Sequence, residues 1–130
     1  SPGGDLDVNN TLIDTIRLSE TPVWGINAGR CASAAAFIFL SCHKRFMLPS
    51  GYFLFHQGSG AFSGTFAEVC AQMQDYQFAV NRLSEFMLTY TNYTKEEIEE
   101  NICGEWFVRD AEALQKKVVD EIVNDISILF

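Results

Sequence analysis

Gly29-Arg30-Cys31-Ala32-Ser33-Ala34-Ala35-Ala36-Phe37 places one hydroxyl among small side chains, between an apolar run and an alanine-rich segment. The upstream run Val23-Trp24-Gly25-Ile26-Asn27 is short, apolar and partly β-branched, which predicts a buried strand. Ala34 to Leu40 favours helix. Ser33 is therefore expected at a strand-to-helix turn. Unpaired backbone N–H groups and the positive end of the helix dipole meet there and can hold a developing oxyanion, with the alanines leaving room for a peptide. The alternative is an N-cap serine that satisfies the same N–H groups and does no chemistry.

Upstream, Leu6, Val8, Leu12, Ile13, Ile16 and Leu18 are spaced as a helix that Pro22 stops. Downstream, Arg45-Phe46-Met47-Leu48 predicts a strand and Pro49-Ser50-Gly51 a turn. Tyr52-Phe53-Leu54-Phe55 then predicts a second strand, which delivers His56 at its end. The segment Gly58-Ser59-Gly60-Ala61-Phe62-Ser63-Gly64 is too rich in glycine for a core strand. It reads as a loop or as an edge strand that accepts an extended peptide. From Thr65 to about Asn92 a long helix is expected, with Phe66, Val69, Met73, Tyr76, Val80, Leu83, Met87 and Tyr90 in alternating three- and four-residue steps. That seam suits packing against another helix or subunit, or equally a core helix of a monomer. Thr94-Lys95-Glu96-Glu97 is a capping box opening a helix with Ile98 and Ile102 inward. Trp106-Phe107-Val108 predicts a strand, Asp110 a cap for a helix over Ala111–Lys117, and Val118-Val119 the start of a last apolar stretch.

A single domain over residues 1–130 is expected at this length. With 48% apolar residues and eleven Phe, the chain can fill a packed interior, which argues against disorder. A formal charge of −8, with Lys and Arg scattered, argues against nucleic acid as a partner. Cys31, Cys42, Cys70 and Cys103 lack CxxC spacing, so no zinc site or redox motif is predicted. They read as buried or half-buried thiols in a reducing compartment, and a cytoplasmic location is expected. No 18-residue apolar run and no basic-then-apolar leader is present in these residues. The opening Ser1-Pro2-Gly3-Gly4 reads as a tight loop that would follow a strand, so an upstream segment is expected to be missing.

A serine hydroxyl needs a neighbouring base to become a useful nucleophile, and histidine is the usual one. His43 lies in the polar stretch Ser41–Arg45 and suits an exposed loop. His56 follows an apolar strand and precedes a glycine-rich loop, a position from which a side chain can face a cleft. A carboxylate commonly orients such an imidazole. Glu105, between Gly104 and the strand at Trp106, is the candidate, with a solvated surface carboxylate as its plain alternative.

Taken in order, Ser-Pro-Gly-Gly, then Gly-x-x-Ala-Ser-x-x-Ala, then a strand ending His-Gln, then Phe-x-x-x-x-Glu-Ala, resemble the proteolytic subunit of the ATP-dependent Clp protease family. The resemblance runs from Ser1 to about Val123. It implies an α/β fold, a superhelix of βαβ units with a projecting handle helix, and a serine endopeptidase that cleaves unfolded polypeptides inside an oligomeric chamber. By the same resemblance Ser33 matches the nucleophile, His56 the base and Glu105 the triad acid, where the family has aspartate. Gly4 and Ala34 match the oxyanion-hole positions, and Gly58, Ser59, Gly60 and Phe62 fall in the strand that pairs with substrate. No cofactor and no metal are implied. The Thr65–Asn92 helix matches the handle that joins rings, so self-association into seven-membered rings is expected, with an unfoldase of the AAA+ class as the implied partner. Three departures stand out: Gly104 after Cys103 where the family usually has arginine before the acid, Gly58 where it has proline, and no counterpart to its segment of axial pore loops. They leave open a catalytically inactive ring subunit, or a phage- or translocation-associated protease of the same type.

Overall fold

The computed structural model describes residues 1–130. Its strands are β1 (Trp24–Asn27), β2 (Arg30–Ala32), β3 (Lys44–Met47), β4 (Tyr52–Phe55), β5 (Trp106–Val108) and β6 (Glu121–Ile122). They form two three-stranded sheets, β1-β3-β6 and β2-β4-β5. The first is parallel throughout, while in the second β2 and β4 are parallel and β5 runs antiparallel to β4. Successive strands β1 to β4 thus alternate between the sheets, so the chain winds as a superhelix. Asn27 holds one crossing together, its buried amide donating to Tyr52 O at 3.0 Å and accepting from Gly29 N at 3.1 Å.

The strand that leads into Ser33 is β2, not the Val23–Asn27 run, which ends at the Ala28-Gly29 bend and belongs to the other sheet. Three residues are too few for β2 to show a period of its own. After Ser33, α2 (Ala34–Ser41) lies almost wholly buried. An all-apolar helix has no solvent face to offer, so it is enclosed between α1 and the sheets. Phe37 and Phe39 on α2 meet Phe55 and Phe53 on β4 at ring separations of 5.7 and 4.9 Å, and Phe55 continues to Trp106 at 5.9 Å. The core therefore grips both strands that end at the candidate site.

Helix α1 (Leu6–Arg17) starts where the Asp5 carboxylate accepts from Asp7 N and Val8 N. Its buried face presents Asn9 and Ile13. Helix α3 (Phe66–Tyr90) opens with a capping box between Thr65 and Glu68 and divides the predicted seam in two. Val80, Leu83 and Met87 are buried in the chain's own core, whereas Phe66 is 87% and Met73 55% exposed. The seam thus divides: the C-terminal turns pack in the chain's own core and the N-terminal turns project.

The box at Thr94 forms as predicted and starts α4 (Lys95–Asn101), with Ile98 and Ile102 buried. Its Glu97 also takes Lys116 Nζ at 2.6 Å, tying α4 to the end of α5 (Asp110–Gln115). Asp110 is not the cap expected of it. Arg109 occupies that position, and Asp110 sits in the first turn, where its charge still complements the helix dipole. The chain closes with a single 3₁₀ turn, Ile126–Leu129. Cys31 and Cys42 are buried and Cys70 half-buried, but Cys103 is exposed, against the expectation for all four thiols. No helix is long and apolar enough to cross a membrane.

Candidate active site

Ser33 stands between β2 and α2 with φ 57° and ψ −130°, a conformation that L-residues other than glycine rarely take. Such strain persists only where the surroundings over-determine it, and here they do. Ser33 N donates to Leu54 O at 2.8 Å, and Ala32 N donates to Ser1 O at 3.0 Å. Gly3, at φ +94°, lies so close behind the turn that a Cβ on it would stand 2.7 Å from Ala32 O and from Ser33 Cβ, and 2.9 Å from Ala34 N. Only glycine fits there, and sequence reasoning, which singled out Gly4, missed it. The paired glycines were the available signal.

The conformation sets aside the plain capping role for the Ser33 side chain. Ser33 makes no side-chain cap bond to α2. Its hydroxyl instead hydrogen-bonds His56 Nε2 at 2.7 Å, and it is the donor when the ring carries its proton on Nδ1. His56 follows directly on β4, the strand beside β2, so two neighbouring parallel strands end together and bring the two side chains into contact. A half-buried hydroxyl at a strained strand-to-helix turn has the backbone form of an elbow of the kind that presents nucleophiles in other folds. The backbone N–H groups of Gly4 and Ala34 donate to no group within the chain and flank the same turn, free for an oxyanion.

Glu105 is placed differently. β4 and β5 pair antiparallel with Phe55 opposite Trp106, and continuing that register by one step sets His56 opposite Glu105. Directly opposed residues share a face, so this register puts Glu105 and His56 on the same side of the sheet edge. No hydrogen bond joins them, and Glu105 is exposed on a turn where Gly104 has open space around it. Cys103, on the same turn, accepts from Gln57 Nε2 at 3.9 Å, a loose sulfur contact beside His56.

Gly58, Ser59, Gly60 and Phe62 follow His56 in an exposed segment without regular structure. Phe62 packs edge-on to Tyr76 at 5.6 Å, and Tyr76 OH donates to Gln57 O at 3.3 Å, so the segment is pinned to α3 at two points. His43 lies elsewhere: it is exposed, and its Nδ1 accepts from Val23 N at 3.0 Å, closing the entrance to β1.

The model of the Clp protease family matches residues 1–125. The chain belongs to the Clp protease family. As a member of the Clp protease family the chain is a protease at the level of that family, with its mixed α/β fold and the long helix α3 in the handle position.

Proposed function

We propose that this Clp family chain is a serine endopeptidase in which Ser33 is acylated by the substrate. The observation that carries the reading is the 2.7 Å hydrogen bond from Ser33 Oγ to His56 Nε2 at a strained elbow flanked by two free N–H donors. Ser33 Oγ attacks the peptide carbonyl carbon while His56 Nε2 takes the hydroxyl proton. The carbonyl oxygen, now carrying the negative charge, accepts from Gly4 N–H and Ala34 N–H. His56 then gives its proton to the leaving amine as the C–N bond breaks, which leaves an ester on Ser33. Water, deprotonated by His56, attacks that ester and releases the acid product with Ser33 restored. Glu105 serves to orient His56 and to stabilise its cation, and the segment Gly58–Phe62 lines up the peptide beside it.

The exposed Phe66, Met73 and Phe78 on the projecting half of α3 support self-association, with seven-membered rings as the proposed form. An AAA+ unfoldase would then deliver unfolded polypeptides to the chamber, in the cytoplasm. A second reading, an inactive ring subunit, draws support from the unbonded Glu105.

A fluorophosphonate probe tests the choice. Labelling of the assembled protein at Ser33, lost in Ser33→Ala and His56→Ala, together with peptide cleavage lost in both, is the expected result. An assembled protein that takes no label and cleaves no peptide is the inactive subunit.

A further inference from the structure

A cavity of about 190 Å³ opens between the glycine loop, the start of α1 and the start of α2. Gly4 and Ala34, the two oxyanion donors, are in its wall, and His56 is not. In an attack by Ser33 the leaving amine departs on the side of His56, which must protonate it. The side chain on the acyl half, next to the carbonyl held by Gly4 and Ala34, is therefore the one that falls toward this cavity. Val8, Leu12 and Ile38 supply apolar wall, and Ser1 and Asn9 are its neutral polar residues.

Asn9 is the anomaly of the molecule. It is 1% exposed, and both its side-chain oxygen and nitrogen lack any hydrogen-bond partner, the only such buried atoms in the chain. Buried polar groups are almost always paired, so an amide with neither bond made marks a place where a partner is to be supplied. Resting on the protease reading above, we propose that Asn9 is a specificity-determining residue that selects a primary amide, glutamine or asparagine, on the acyl side of the cleaved bond. Turned about its own side-chain torsions toward the cavity, the Asn9 amide offers one donor and one acceptor, and a substrate amide returns both. An aliphatic side chain of the same size leaves both unmet, which is how a polar site rejects an apolar analogue. The Asp5 carboxylate in the same wall disfavours glutamate and aspartate there.

Peptide acids ending in Gln and in Leu, titrated by calorimetry against the Ser33→Ala protein, test the assignment without any need for turnover. The Gln peptide should bind at least about tenfold tighter, one good pair of hydrogen bonds. Asn9→Leu and Asn9→Ala should each erase that ratio. The two variants differ in whether the space is filled, so a folding defect in one leaves the other to decide. Equal or undetectable binding of the two peptides, tighter binding of a Leu or Lys ending, or a ratio that survives both substitutions overturns the assignment. Fluorophosphonate labelling of the unsubstituted protein reports separately on the protease: label without a Gln preference refutes the pocket alone, and the preference without label refutes the protease alone.

Discussion

The elbow that carries Ser33 and the turn that carries Glu105 flank the same histidine and are built in opposite ways. At the elbow, backbone hydrogen bonds from Ser33 and Ala32, the wedge of Gly3 and the bond to His56 leave no freedom. Cys31, on the strand that feeds it, is buried, and burial pushes its thiol up to about 12. At the acid turn Gly104 has nothing near it, Glu105 is exposed and Cys103 is open to solvent. Ser33 and His56, the proposed nucleophile and base, are thus held together by one folded chain, while Glu105, the proposed acid, stands on an open turn. Catalysis gains most from groups already held in place, so the two sides should respond very differently to perturbation.

The severest way to break the contrast is Gly3→Ala. The new Cβ collides with backbone, and φ at this position alone strains the chain by about 1–3 kcal/mol. Displacing the elbow and its oxyanion donors should cost about 10²- to 10³-fold in acylation rate, read as the rate of fluorophosphonate labelling. A Gly4→Ala control, where there is open space, should lose far less. Equal losses in the two variants would mean that Gly3 does not brace the elbow.

Alkaline pH probes the same side through Cys31. Its thiol is raised from 9.0 to about 12 by burial, so the folded state favours the protonated form more than the unfolded chain does. The resulting stability is whole below pH 9 and falls away as the pH climbs toward 12, by up to about 4 kcal/mol at the top of the range. Chemical denaturation at stepped pH should show that decline, and Cys31→Ala should flatten it. At pH 8 an alkylating reagent should modify Cys103 and leave Cys31 untouched, and the reverse order would contradict the burial argument.

The smallest effect is expected on the acid side. Without a bond to His56, Glu105→Gln should lower kcat/KM by only about tenfold, about 1.4 kcal/mol, against about 10⁴-fold or more for His56→Ala. A loss near that of His56→Ala would show that Glu105 closes onto the imidazole in the assembled protein, which would sharpen the contrast into a description of what assembly supplies.

Much of this was legible in the residues themselves. The capping box at Thr94, the helix over Ala34–Leu40 and the strand ahead of His56 follow from local spacing and propensity, which need no partner to express themselves. The order of Ser33, His56 and Glu105 along the chain pointed to the site. Local pattern could not tell whether the serine caps α2, because a capping and a non-capping serine occupy the same turn; the backbone conformation and the partner of one hydroxyl did. Nor could it find β2, too short for a period, or Gly3, whose necessity arises from backbone that is 29 or more residues away in sequence. The seam on α3 was visible as a repeat, but only the folded core decided which half of it is buried. What the sequence by itself determined is therefore most of the elements and the residue types they carry. Which elements end side by side, and hence that Ser33 meets His56 while Glu105 stands apart and Asn9 lies unpaired, was decided by tertiary packing. Contacts between distant segments depend on shape and on closing long stretches of chain, and neither is written in any local window.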